Sequence, residues 1–178
     1  ISSAGCRSSV AGDPFTGVPF DRYLSEAVLE PLRMSDTLLK GSPAFAVVST
    51  VDDLARFTVE LLRPTLISPD TLAMARRVQF PGLSGIVPGV GRFDPCDWGL
   101  GFELNAGKPA HWTGRVVSPE AFGHFGGSGT FLIVDPSTGF GVVCLTKRDF
   151  GQWAMDAWPP LLDGVFTELG AASEVRPS

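Results

Sequence analysis

Thr130-Phe-Leu-Ile-Val134, Asp135-Pro-Ser-Thr-Gly139 and Phe140-Gly-Val-Val-Cys-Leu-Thr146 together form the stretch that decides the fold. Two runs rich in β-branched and aromatic residues flank a Pro/Gly turn, which is the pattern of an antiparallel hairpin. Upstream, Trp98-Gly-Leu-Gly-Phe-Glu-Leu104 alternates and reads as a further strand. Downstream, residues 152–169 carry Trp153, Met155, Ala157, Leu161, Leu162, Val165 and Phe166 and return to helix. Pro159 and Pro160 are expected to break or offset that helix.

Further upstream the period is helical. Phe20, Leu24, Ala27 and Val28 fall three and four apart in residues 19–32, and Pro31 ends that helix. Met34-Ser-Asp-Thr37 is then a turn. Ser49 or Thr50 caps the next helix, Asp52 and Asp53 suit its positive end, and Leu54, Phe57, Leu61 and Leu62 form its apolar stripe. Ser68 caps a third helix with Pro69 at its first position. Helices, then antiparallel strands, then a closing helix indicate an α+β fold, an antiparallel sheet flanked by helices. The Ser/Gly/Pro-rich residues 1–18 read as a disordered or loop-like end, 19–170 as one domain, and 171–178 as a tail.

Composition sets the outer bounds. The chain is 44% hydrophobic and 19% charged, so it is globular. A net charge of -5 without a Lys/Arg run argues against nucleic-acid binding. No apolar stretch reaches the roughly 20 residues that span a bilayer. Cys6, Cys96 and Cys144 are three and widely spaced, which suggests neither a disulfide framework nor a zinc site. Cys144, inside an apolar run, is expected to be a small buried core residue. His111 and His124 are too few for a histidine-based metal site, and Asp94, Asp97 and Glu103 around Cys96 have no metal spacing. No cofactor is implied. The start at Ile1 has no signal-peptide pattern and reads as a cut end, so localisation is not readable.

Four pieces in order resemble one family. Tyr23-Leu-Ser-Glu-Ala-Val-Leu-Glu-Pro-Leu-Arg-Met-Ser-Asp-Thr37 is similar to the helix-and-turn segment of class C β-lactamase-like hydrolases. Ser49-Thr-Val-Asp-Asp-Leu-Ala-Arg-Phe57 resembles their next helix, and Gly99-Leu-Gly-Phe102 one of their strands. Phe122-Gly-His-Phe-Gly-Gly-Ser-Gly-Thr130 resembles their third-motif strand entry. The resemblance, over residues 19–170, is to the C-terminal portion of the serine β-lactamase and penicillin-binding-protein-like superfamily, which includes family VIII esterase-like hydrolases.

That resemblance implies acyl transfer by three elements. A helix-borne Ser-x-x-Lys supplies the nucleophile, Tyr-x-Asn or Ser-x-Asn shuttles protons, and Lys/His-x-Gly on a strand lines the acyl site. The residues three before Lys40, Lys108 and Lys147 are Thr37, Asn105 and Cys144, so Ser-x-x-Lys is absent. The single tyrosine, Tyr23, is followed by Leu24 and Ser25, so Tyr-x-Asn is absent too. Both normally precede the matching segment. The expectation is an incomplete β-lactamase/transpeptidase-like fold without its N-terminal strands and nucleophile helix, inactive alone.

The third element stands as His124-Phe125-Gly126. By the resemblance His124 is the catalytic candidate, facing the cleft. Phe125, Gly126 and Gly127 are substrate-binding candidates, with the Gly127 N–H as an oxyanion donor. His124 also reads as an ordinary strand histidine, and the glycines as a bulge or bend. His111-Trp112-Thr113-Gly114 is a rival third motif, or a loop whose Trp packs on the cleft rim. A triad of Ser128, His124 and Asp135 is disfavoured, since four strand residues separate His124 from Ser128 by about 13 Å. Trp153 and Trp158 read as core.

The substrate implied for a completed protein is a small ester, β-lactam or peptidoglycan-like amide. Specificity would come from the loops at 81–97 and 105–120. The alternative is a non-catalytic binding or interaction module. An exposed sheet edge would then pair with a second copy or a partner chain.

Overall fold

A computed structural model of the chain describes residues 17–174. Cys6, most of the stretch 1–18 and the end of the tail at 175–178 lie outside the described residues. The described part divides at Phe57/Thr58 into two units.

In the first unit, α1 (Phe20–Leu24) runs on as a π-helical turn over Ser25–Leu29. The Met34 N–H closes on Leu29 O at 2.8 Å just past Pro31, with Arg33 at φ 56°. A short hairpin that the sequence does not announce follows, β1 (Leu38–Leu39) against β2 (Val47–Val48). α2 (Val51–Leu62), whose residues up to Phe57 belong to this unit and the rest to the second, opens with Thr50 Oγ1 accepting the Asp53 N–H at 3.3 Å, one of the two expected caps. Asp53 itself is fully buried. Its carboxylate accepts the Asp36 N–H at 2.9 Å, the Thr37 hydroxyl at 2.8 Å and Arg56 Nη1 at 2.7 Å, which ties the 34–37 turn to the helix.

In the second unit, α3 (Pro69–Ala75) is capped by Ser68, whose Oγ accepts the Thr71 N–H at 3.1 Å. β3 (Gly85–Val87) and β4 (Gly91–Phe93) form a hairpin inside the expected 81–97 loop. β5 (Glu103–Leu104), β6 (Phe122–Phe125), β7 (Phe131–Asp135) and β8 (Phe140–Cys144) form one antiparallel sheet in that order. The hairpin β7–β8 is the one expected, with Asp135 opposite Phe140. Cys144 is half-buried on β8 rather than enclosed, and it packs against the core from its margin.

Two expectations fail for physical reasons. The 98–104 strand is a tight turn: Gly99 N–H bonds Phe102 O at 2.9 Å, Gly101 takes φ 77°, and only Glu103–Leu104 joins the sheet. Alternation alone does not distinguish a strand from Gly-x-Gly bending back. The closing helix, α4 (Gln152–Glu174), continues through Pro159 and Pro160 to residues expected as tail. Ala154, Trp158, Leu162 and Phe166 stand four apart and are all buried. They pack with Phe131, Ile133 and Trp112 as the core of the unit. Each large buried side chain contributes about 1.5–3 kcal/mol. Together they offset the ~3 kcal/mol that an interior proline costs.

Candidate functional site

β6 aims alternate side chains at opposite faces. His124 is exposed and stands opposite Leu132 on β7. Phe125 turns inward onto Phe150, Trp112 and Trp158, at 4.6, 5.5 and 5.8 Å between ring centres. Its side chain packs against the core of the unit. His124 Nδ1 contacts Phe125 O, and a carbonyl can only accept, so Nδ1 donates and the lone pair of a neutral ring lies on Nε2. The Trp98 ring meets His124 edge-on at 5.5 Å.

Beyond Phe125 the chain turns at once. Gly126 N–H bonds Thr130 O at 2.8 Å, and Gly129 N–H bonds Gly126 O at 3.0 Å. Phe150 N–H holds Gly127 O at 2.8 Å, and the Thr146 hydroxyl holds Gly129 O at 3.0 Å. Gly127 is exposed, and its N–H has no acceptor among the described residues. His124 and the Gly127 amide are thus brought to one end of β6, one an imidazole and the other a fixed N–H dipole. Ser128 Oγ pairs with Thr130 at 3.1 Å, and Asp135 is buried among Ser118 and Ser137, so the Ser128–His124–Asp135 arrangement does not form.

The rival run His111–Gly114 lies inside the unit, with Trp112 fully buried in the core rather than on a rim. His111 belongs to a network that sequence reasoning missed. Glu103 is 2% exposed and accepts His111 Nε2 at 2.8 Å, Trp112 Nε1–H at 2.9 Å and Lys108 Nζ at 3.2 Å. Lys108 spends its other two protons on Leu104 O at 2.7 Å and Asp97 O at 3.0 Å. His111 Nδ1 pairs with Thr113 Oγ1 at 2.9 Å, which also accepts Asn105 Nδ2 at 2.7 Å. Burial pushes the Glu103 carboxyl up. The hydrogen bond and electrostatic pull of His111, the indole N–H and the Lys108 ammonium together hold it below the usual carboxylate range. This is an internal brace whose members already satisfy one another.

Two more carboxylates anchor the 105–120 loop. Asp135 accepts Ser118 Oγ and Ser137 Oγ, each at 2.7 Å. Although burial pushes its carboxyl up, the hydrogen bonds of Ser118 and Ser137 hold it below the ordinary range. Asp163 on α4 accepts the Arg115 and Val116 N–H groups at 2.6 and 2.9 Å. Only Asp135-Pro-Ser137 had a local signal, an Asp bonding two residues ahead in a turn. Among the described residues no helix is long and apolar enough to cross a membrane.

Residues 10–164 match the Beta-lactamase protein family. A β-lactamase from Mycobacterium bovis is 52% identical in sequence with a TM-score of 0.83, over 86% of this chain and 57% of that one. A penicillin-binding-protein homologue from Caulobacter crescentus is 20% identical with a TM-score of 0.60, over 88% of this chain and 53% of that one. Simvastatin synthase from Aspergillus terreus is 15% identical with a TM-score of 0.65, over 86% and 50% of the two chains. At those last two identities the likeness is one of fold. No curated protein matches. The chain spans just over half the length of the Mycobacterium bovis protein.

Proposed function

The chain belongs to the Beta-lactamase family, and from that premise we propose that it forms the third-motif wall of a serine acyl hydrolase whose nucleophile lies outside these 178 residues. The observation that carries this is the Gly127 N–H, unpaired among the described residues on an exposed turn, three residues after an exposed histidine. A backbone N–H fixed at both flanks can donate a hydrogen bond to an acyl oxygen as negative charge develops on it, without reorganising, which is where electrostatic catalysis gains most. His124 adds a polar group to the same wall, and Phe125 and Gly126 supply its backbone. Ser-x-x-Lys, the pair that would attack, is nowhere in the chain. The substrate class this reading implies is an ester, a β-lactam or a peptidoglycan-like amide.

The chain alone is expected to take no label from fluorophosphonate or fluorescent penicillin probes. It should leave a chromogenic ester or cephalosporin hydrolysing at the buffer rate. A probe adduct on a serine of this chain, located by mass spectrometry, overturns the assignment of the nucleophile elsewhere.

A second reading, an interaction module, is favoured by one observation. Among the described residues β8 pairs only with β7, so its other edge presents unpaired backbone groups. That edge fits a strand from a second copy or another chain. Light scattering on the eluting peak is expected to give a mass above the 18.9 kDa of one chain. A compact monomer across the accessible concentration range counts against this reading and leaves the first untouched.

A further inference from the structure

Phe80, Leu83 and Ile86 are 72%, 59% and 69% exposed. Large apolar side chains crowded into one stretch of surface mark a place that binds something. With Gly85, Cys96 and Trp98 they line a cavity of about 320 Å³. The remaining lining residue, Ser84, has its hydroxyl engaged by Arg92 Nη2 at 3.1 Å. No charged side chain contributes to the walls. The walls are also held in place: Cys96 N–H bonds Leu83 O at 2.7 Å and Gln79 N–H bonds Trp98 O at 3.0 Å. Trp98 is the link to the candidate acyl site, since it lines the cavity and its ring also meets His124 at 5.5 Å.

We propose that this cavity holds an uncharged alkyl or aryl group, the apolar acyl portion of a substrate whose carbonyl lies on the His124–Gly127 side of Trp98. The carbonyl's position rests on the hydrolase reading above; the cavity's preference for apolar groups does not. A charged occupant is disfavoured because Phe80, Leu83, Ile86, Cys96 and Trp98 carry no charge, and the one charged group beside the walls, Arg92, stands outside them on Ser84. Contact with uncharged chains gains from every methylene taken out of water.

The test is direct binding to the 178-residue chain, read by tryptophan fluorescence, with methyl esters from butanoate to octanoate. Affinity is expected to rise about fourfold per added methylene, the equivalent of ~0.8 kcal/mol for each CH₂ buried. Ile86→Asp alters a side chain that is 69% exposed. It should leave the melting temperature unchanged and weaken methyl octanoate binding by roughly tenfold or more. Equal affinity along the series, or undiminished binding by Ile86→Asp, overturns the proposal. So does self-association of the chain that Ile86→Asp abolishes, since a second copy would then be the occupant. The two readings also fail separately. A nucleophile-bearing longer form that cleaves acetyl and octanoyl esters with equal kcat/KM removes the cavity assignment and keeps the hydrolase. A binding series that holds while no longer form hydrolyses any ester removes the hydrolase and keeps the cavity.

Discussion

Glu103→Ala is expected to lower the unfolding free energy by about 3–5 kcal/mol at neutral pH, the cost of leaving a buried charge without its partner. For a chain of this length that is a fall in melting temperature of roughly 10 °C. The reason is the company Glu103 keeps. Lys108 is enclosed with only two carbonyls left to meet its ammonium, and His111 and the Trp112 indole lose their acceptor at the same time. Adding Lys108→Met to Glu103→Ala removes the stranded charge, so the double variant should recover part of the loss; purely additive losses would mean the pair is not coupled. The pH dependence has a definite sign. The folded-state pKa of Glu103 is depressed, so its stabilising contribution is complete above the unfolded value of about 4.3 and fades as pH falls below it. Urea midpoints of the two proteins should therefore stand furthest apart at pH 7 and converge in acid. A gap that widens on acidification would contradict a carboxylate brace.

Much of the framework was legible because it is written in local chemistry. Thr50 and Ser68 cap their helices through their own side chains, and Asp135-Pro-Ser-Thr-Gly139 makes its turn within five residues. What was not legible depends on groups that meet only after folding. Glu103, Lys108 and His111 follow no period, and they converge because the 105–120 loop folds back over β5. Pro159 and Pro160 were misleading for the converse reason: a local rule predicts a break, and the buried column of Ala154, Trp158, Leu162 and Phe166 overrides it. The candidate site falls between these cases. His124-Phe125-Gly126-Gly127 could be picked out as a string, but its division of labour could not. Strand alternation sends Phe125 into the aromatic core and leaves His124 outside.

The glycines of that turn are alike in sequence and opposite in consequence. Gly129→Ala is expected to cost about 2–5 kcal/mol, while Gly127→Ala stays within roughly 0.5 kcal/mol of the parent. Gly129 sits at φ 73°, and a β-carbon there would fall 2.0 Å from Arg148 O, 2.8 Å from Thr146 Oγ1 and 3.0 Å from the Trp153 ring. About 1–2 kcal/mol of the loss is the left-handed backbone of a residue with a side chain. The rest comes from pushing the turn away from the segment that braces it, with a backbone oxygen that has no free rotation by which to retreat. At Gly127 φ lies outside the left-handed region, and an added methyl meets nothing within 4 Å. Urea unfolding with unchanged m-values measures both, and a neutral Gly129→Ala would show that the brace through Thr146 and Arg148 does not constrain the turn. The contrast bears on function because alanine keeps its backbone N–H. Gly127→Ala preserves the proposed oxyanion donor and places a methyl beside it on an open surface, so any loss of acyl-transfer activity in a nucleophile-bearing form reports a ligand approaching that face. Gly129→Ala moves the donor without touching it, and the two together separate the position of the amide from the space in front of it.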